Sequence, residues 1–325
     1  MSAPLLDIRD LRVTLGLGRQ TITPVDGVTL SVQRGEVLGI AGESGSGKSL
    51  TLRSILGLLP PGARVEGELL LSLGGGPAAR FRPEDVRGRG IAMIFQEPMT
   101  ALNPTMRVGD LIAEAPRMHR GLGRAAARTR AVELMRSVGI PDPERRARMW
   151  PHQLSGGLRQ RVMIAAAIST DPQLLLCDEP TTALDVTIQD QILGLLERLR
   201  GVSGTSIVFV THDLAVIGEL CDRVAMMYAG RVVETGRVED VFTSPRHPYT
   251  AALLESVPSL HTRAGRLRGI GGGPPDPRNF PAGCRFAPRC AFAREDCTRS
   301  DQRLWPVEGD RATACIHPGV LESRS

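Results

Sequence analysis

The stretch that most constrains this chain is the loop Gly42-Glu43-Ser44-Gly45-Ser46-Gly47-Lys48-Ser49. A glycine, four residues and then Gly-Lys-Ser is the spacing of a loop that cradles phosphates. The run before it, Glu36 to Ala41, reads as a buried strand, and the run from Ser49 to Leu59 reads as a helix. Strand, loop and helix in that order turn backbone N–H groups toward an anion, and the helix N-terminus adds its positive end. In this reading Lys48 reaches the β- and γ-phosphates of a nucleotide and the Ser49 hydroxyl binds Mg²⁺. Lys48 is the only lysine among 40 basic residues; the others are arginines. A compact ammonium fits between phosphates where a planar guanidinium does not.

The 325 residues suffice for one large domain and a smaller one. The apolar content of 42% is enough to bury a core, and the aromatic content of 3% makes that core aliphatic. No run of about 18 apolar residues is present, so no membrane-spanning helix is expected. Met1 to Asp10 lacks a basic start and meets Asp7 early, which is unlike a secretory signal, so a cytosolic location is expected. Net charge is +5, and residues 259–325 carry 11 arginines against 7 acids. Such a tail suits anionic lipid or nucleic acid, or is a solvated segment of an arginine-rich chain.

Residues 5–13, 28–32 and 37–41 read as short strands, with Gly16 to Pro24 as a loop between the first two. Pro60-Pro61-Gly62 ends the helix after the phosphate loop, and Glu66 to Leu73 reads as another strand. Ile91 to Phe95 is an apolar strand that delivers Gln96. From Val108 to Thr170 the apolar period becomes helical, as at Ala131, Leu134, Met135 and Val138, which marks a helical insertion. Leu174 to Cys177 is an apolar strand ending in Asp178-Glu179, and Ile188 to Arg200 reads as a helix. Ser206 to Val210 is an apolar strand ending in Thr211-His212-Asp213. Arg223 to Tyr228 and Arg231 to Glu234 form a hairpin. Beyond Pro258 the composition shifts to Gly, Pro, Arg and Cys.

Gln96, Asp178-Glu179 and His212 thus all sit at the C-terminal ends of apolar strands, the edge where parallel αβ sheets bind ligands. Asp178 suits a Mg²⁺ partner. Glu179 can take a proton from attacking water. Gln96 can orient that water or complete the Mg²⁺ shell, and His212 can contact the γ-phosphate. Leu154-Ser155-Gly156-Gly157-Leu158-Arg159-Gln160-Arg161 opens a further helix, with Ser155 as a candidate N-cap.

Ser-Gly-Gly at a helix start, about 20 residues before an apolar strand ending in Asp-Glu, resembles the signature motif of ATP-binding cassette proteins. The motif order is also that family's: phosphate loop, Gln96, signature, Asp178-Glu179, the Ala183-Leu184-Asp185 loop, then His212. The resemblance implies an α/β P-loop NTPase cassette over residues 1–257. It has a RecA-like core sheet, an antiparallel β subdomain and an inserted helical subdomain at about 97–170. It also implies that residues 42–50, Leu50 included, hold ATP with Mg²⁺, and that Ser155, Gly156, Gly157 and Asp185 serve a nucleotide shared between two chains. Ser155, Gly156 and Gly157 would meet the γ-phosphate bound by a partner, so hydrolysis requires a head-to-tail pair.

Phe95 to Pro104, His247-Pro248-Tyr249-Thr250 and Gly283 to Cys290 further resemble the oligopeptide/dipeptide importer subfamily. That resemblance implies an ATPase peripheral to the cytoplasmic side of the inner membrane. Its partners would be a related second ATPase, two permease subunits and an extracytoplasmic substrate-binding protein, with no direct contact to nucleic acid. Importers of nickel or other small solutes share the pattern, and a cassette ATPase acting on nucleic acid is the alternative from another class. Two departures stand out. No aromatic residue precedes Phe81, so adenine must rest on aliphatic groups near Leu15 or Ile22. Leu158 replaces the glutamine common at the signature's fifth position.

Of six cysteines, Cys177 and Cys221 read as small core residues. Cys284, Cys290, Cys297 and Cys315 gather in the extension, residues 258–325, separated by 5, 6 and 17 residues. Clustered thiols in a cytosolic chain suggest a metal site rather than disulfides. No Cys-x-x-Cys pair supports a zinc ribbon. Four thiolates can hold a [4Fe–4S] cluster, and the resembling importer tails carry one in some members. Iron–sulfur therefore ranks ahead of zinc, and zinc ahead of unligated thiols. His317 is a possible substitute ligand.

Overall fold

The computed structural model describes residues 3–18, 20–182, 184–256 and 269–324. In chain order the strands and helices begin with β1 (Leu6–Leu17), β2 (Gln20–Val32), β3 (Val37–Ala41), α1 (Lys48–Ile55) and β4 (Arg64–Leu71). Next come β5 (Ala79–Arg80), α2 (Pro83–Val86), β6 (Ile91–Ile94), α3 (Pro98–Ala101), α4 (Val108–His119), α5 (Arg124–Ser137), α6 (Pro143–Arg146) and α7 (Gly156–Ile168). Then follow β7 (Leu174–Asp178), α8 (Val186–Ser203), β8 (Ser206–Thr211), α9 (Leu214–Leu220), β9 (Arg223–Tyr228) and β10 (Arg231–Arg237). The last are α10 (Val238–Thr243), α11 (Pro248–Glu255), β11 (Trp305–Pro306) and β12 (Ala312–Thr313). These group into two compact units. One comprises Met1–Leu5, Gln33–Glu36 and Ser72–Phe209; the other comprises Leu6–Val32, Val37–Leu71 and Val210–Ser325.

In the first unit the strand order is β8-β7-β6, and β6 and β7 run parallel with Ile91 opposite Leu174 and Ile94 opposite Cys177. Every residue of β6, β7 and β8 is buried. A strand covered on both faces cannot alternate, which is why these segments read as unbroken apolar runs. Each buried leucine of β7 contributes roughly 1.5–3 kcal/mol over exposure. The helical insertion packs Val108, Ile112 and Ala113 of α4 and Ala127, Ala131, Leu134 and Met135 of α5 inward. Gly109 lets α4 approach closely, since a Cβ there would stand 3.0 Å from the Ala147 Cβ.

In the second unit β1 lies between β2 and β4, antiparallel to both. The expected loop at Gly16 to Pro24 is instead mostly hairpin: Leu17 pairs with Gln20, Gly16 with Thr21 and Leu15 with Ile22. Cross-strand hydrogen bonding overrides the turn-like composition there, and Gly18 supplies a positive φ of 60° at the tip. A second sheet run has the order β11-β12-β10-β9-β3, with β3 parallel to β9. Pairing of Glu234 with Thr313 and Thr235 with Ala312 adds the end of the chain to this sheet. The core beside it contains Ala41, Leu214, Ile217, Met226, Tyr228, Tyr249 and Phe286. Cys177 is fully buried in β7, as expected of a small core residue, whereas Cys221, at the end of α9, is half-buried and packs against the edge of the core.

Candidate functional site

The phosphate loop connects β3 to α1, and Gly47 is the N-cap of that helix. Two glycines are obligatory on packing grounds. A Cβ on Gly42 would stand 2.1 Å from the Met227 carbonyl oxygen, and one on Gly47 would stand 2.7 Å from the Pro24 oxygen. Both also hold positive φ, 153° and 102°. The loop is braced by the Gly230 N–H donating to the Ser46 oxygen at 2.9 Å and by the Thr51 hydroxyl donating to the Gly47 oxygen at 3.0 Å. Lys48 is 4% exposed, and its Nζ donates to the carbonyl oxygens of Gly42 at 2.8 Å and Glu43 at 3.0 Å. The Ser46 Oγ is buried with no hydrogen-bond partner. An ammonium, an unpaired hydroxyl and a glycine turn at a helix start form a donor set that fits the phosphates of a nucleotide. Leu15 and Ile22, the aliphatic residues expected near the base, face each other across β1 and β2.

The acidic residues belong to the first unit. Asp178 is the last residue of β7 and fully buried. Glu179 follows with a φ of 47°, a left-handed conformation that costs a non-glycine residue on the order of 1 kcal/mol. Its Oε2 accepts from the Gln96 Nε2 at 3.2 Å and from the Thr182 hydroxyl at 2.8 Å. Gln96 and Glu179, 83 residues apart, are therefore brought together. Gln160 of α7 donates through Nε2 to the Pro180 oxygen at 2.6 Å and is 1% exposed. This ties the signature helix to the acidic segment, a contact no local pattern announces.

Ser155 occupies the N-cap position of α7, but its side chain makes no capping hydrogen bond. Ser155 and Gly156 are exposed, while a Cβ on Gly157 would approach Ile188 to 3.1 Å. Leu158 is half-buried. Asp185 caps α8, accepting from the Ile188 N–H at 2.9 Å. Ala183 lies outside the described residues. His212 directly follows β8 and is exposed, while the neighbouring Asp213 caps α9.

The four extension cysteines lie in the second unit, and the other three act electrostatically on Cys315. The Cys284 N–H donates to the Cys297 oxygen at 2.7 Å. Backbone N–H groups donate to sulfur: Phe292 to Cys290 and Arg294 to Cys297, each at 3.4 Å. Phe286 and Ala287 donate to Cys284, and His317 donates to Cys315. Burial pushes the Cys284 and Cys290 thiols up and the Cys315 thiol up to about 11, and the neighbouring sulfurs add to the rise. Thiolate sulfurs are metal ligands in general, but these four sulfurs do not gather within 4.8 Å of one another. Asp296, Cys297 and His317 place one donor atom each within 4.8 Å of one another, with the His317 Nε2 3.0 Å from Asp296.

Sequence reasoning assigned no role to Tyr249 or Arg289, although both belong to segments that carry the subfamily resemblance. Tyr249 accepts the Glu43 N–H at its hydroxyl, 2.8 Å away, and Arg289 pairs with the Glu43 carboxylate.

The profile of the family described as "ABC transporter" matches residues 25–182, and that described as "Oligopeptide/dipeptide transporter, C-terminal region" matches residues 233–297. The oligopeptide transport ATP-binding proteins OppD of Mycobacterium bovis and Mycobacterium tuberculosis are each 47% identical over 331 residues. That alignment takes in 99% of this chain but 53% of theirs, so the chain spans about half the length of these relatives. A putative peptide import ATP-binding protein of Brucella melitensis is 46% identical, covering 96% of this chain and 97% of its own. Among solved structures, a dimeric ATP-binding cassette in a post-hydrolysis state with ADP and phosphate is 30% identical. It superposes with a TM-score of 0.63, covering 72% of this chain and 98% of its own. CbiO1 of Clostridium perfringens, part of an ABC transporter complex, is 29% identical with a TM-score of 0.60 over 74% of this chain and 91% of its own.

Proposed function

The chain belongs to the ATP-binding cassette transporter family, in its oligopeptide/dipeptide branch, and we propose that it hydrolyses ATP to power a membrane importer of peptides. The observation that carries this reading is the joint match of cassette and extension, at 46% identity over nearly the whole length of a putative peptide import ATP-binding protein. The proposed partners are a related second ATPase, two permease subunits and an extracytoplasmic substrate-binding protein. No helix among the described residues is long and apolar enough to cross a membrane. In this reading the chain works peripherally, with the permeases, on the cytoplasmic face of the inner membrane.

Residues 42–50 bind the triphosphate, with Lys48 moving its donors from loop carbonyls to phosphate oxygens. Ser49, Gln96 and Asp178 hold Mg²⁺, which neutralises phosphate charge. Glu179 takes the proton of the attacking water, Gln96 keeps the Glu179 carboxylate oriented, and His212 steadies the γ-phosphate. Ser155, Gly156 and Gly157 complete the partner's site, and Asp185 fixes the start of α8 behind them. Cys284, Cys290, Cys297 and Cys315 hold a [4Fe–4S] cluster, which supplies a covalent cross-link for the extension; zinc on the same thiols is the competing occupant.

Reconstitution tests the reading. The chain, co-expressed with its neighbouring permeases and second ATPase, should drive ATP-dependent peptide accumulation in vesicles supplied with the binding protein. Co-purification with nucleic acid at physiological salt, without permeases, would overturn it.

A further inference from the structure

Glu43, the second residue of the phosphate loop, is held from three sides. Its N–H donates to the Tyr249 hydroxyl at 2.8 Å, and its carbonyl oxygen accepts from the Lys48 Nζ at 3.0 Å. Its carboxylate is gripped by both prongs of Arg289, Nη1 to Oε2 at 2.7 Å and Nη2 to Oε1 at 2.9 Å. These partners lie 246 residues apart in the chain. The Arg289 side chain is 6% exposed and that of Glu43 is 24% exposed.

Arg289 is itself anchored. Its Nε donates to the Gly271 oxygen at 2.9 Å, and Nη1 reaches the Tyr228 hydroxyl at 3.3 Å. The guanidinium lies 5.7 Å from the Tyr228 ring centre and 5.9 Å from that of Phe286. Tyr228, Tyr249 and Phe286 pack on one another with ring centres 4.6–5.5 Å apart. Arg289 closes the short turn Ala287–Arg289, which lies between Cys284 and Cys290. The shape of that turn thus decides where the guanidinium stands.

An exposed ion pair contributes little, but a two-pronged and mostly buried one fixes geometry. We propose that Arg289 is a positioning residue of the nucleotide site. Through Glu43 it holds the Gly42–Gly47 turn in the shape that receives phosphates, so the folded extension sets the nucleotide affinity of the cassette. Arg289 also neutralises the one carboxylate within the loop, which would otherwise repel an incoming triphosphate. The inference rests on the nucleotide-binding reading above. By linkage, bound nucleotide stabilises the extension to the same degree.

The test uses the full chain, with affinity for Mg-ADP and Mg-ATP measured by titration calorimetry. KM and kcat for ATP are measured in the assembled transporter. Arg289→Ala should weaken nucleotide binding about tenfold and raise KM similarly, with less than a twofold change in kcat, and Arg289→Lys should recover part of the loss. Glu43→Gln should weaken binding in the same direction, and adding it to Arg289→Ala should cause no further loss, because both remove one contact. Arg278→Ala, in an exposed pair with Asp276 elsewhere in the extension, is the control and should bind as the parent does. Should Arg289→Ala not fold, the Arg289→Lys and Glu43→Gln measurements carry the test. An Arg289→Ala protein that melts earlier yet binds nucleotide with the parent's affinity would make Arg289 a structural staple and overturn the inference; losses that multiply in the double variant would also do so. A parent chain that binds no nucleotide would instead remove the reading beneath it.

Discussion

The amide of Gln96 donates to the carboxylate of Glu179 at 3.2 Å, joining the ends of two parallel strands, β6 and β7. The same carboxylate oxygen accepts from the Thr182 hydroxyl. Two neutral donors on one oxygen orient the group. The direction of this carboxylate is thus set by its neighbours, as the proposed role of a general base requires.

Glu179→Gln should keep the fold and nucleotide binding while lowering kcat in the assembled transporter by about 10²–10⁴-fold. Gln96→Ala should lower it less, because it removes orientation and leaves the base. Single-turnover hydrolysis by the two variants checks the order of the effects; an unchanged Glu179→Gln rate removes that residue from the reaction.

Lys48→Met should weaken Mg-ATP binding by about 10- to 100-fold, the loss expected for charge-assisted hydrogen bonds worth about 1.5–3 kcal/mol. Lys48→Arg should bind almost as poorly, since the fork of a guanidinium cannot enter the turn closed over Gly42 and Gly47. Equilibrium dialysis with labelled nucleotide measures both.

Ser155→Arg adds bulk to an exposed N-cap that makes no capping hydrogen bond. The isolated chain should then bind nucleotide as before, whereas hydrolysis by the assembled pair should fall at least about tenfold. Parallel calorimetry and phosphate-release assays separate the two quantities.

His247 is the N-cap of α11, where its Nδ1 accepts from the Tyr249 N–H at 3.1 Å. Burial lowers its pKa from 6.5 to about 3, so the folded chain keeps it neutral. The unfolded chain binds the extra proton first. Its contribution to stability is therefore present above pH 6.5 and is lost as pH falls toward 3, at about 1.4 kcal/mol per pH unit over most of that range. His247→Asn keeps a cap acceptor and removes the titration. Denaturant melts at pH 7, 6 and 5 should show a shallower acid loss for the variant than for the parent.

Anaerobically purified chain should contain about four iron and four sulfide ions, and Cys290→Ser or Cys297→Ser should lose them. Stoichiometric zinc with no sulfide would assign the thiols to the competing metal. A metal-free chain that is folded and active would leave them unligated.

Much of the cassette was legible in the sequence because its signals are local. The buried strands β3, β6, β7 and β8 announce themselves as apolar runs, and the phosphate loop is a spacing of glycines that sterics demand. The hairpin at residues 16–24 was hidden because its stability comes from pairing across the strands, while its residues individually resemble a loop. β11 and β12, two residues each, are strands only because β10 offers an edge to pair with. Ser155 was legible as an N-cap position but not as one whose side chain makes no capping hydrogen bond. The grip of Arg289 on Glu43 spans most of the chain, and nothing in either segment specifies the other.

The two hydrogen bonds from the Lys48 ammonium to the Gly42 and Glu43 carbonyls bear on how tightly the loop can bind. An anion entering the loop takes over donors already in use, so binding is an exchange of acceptors and its free energy is a difference between two good sets. The same carbonyls wait to reclaim the ammonium when the phosphates leave. A loop built this way resists becoming trapped by its own product, which suits a motor whose purpose is repetition.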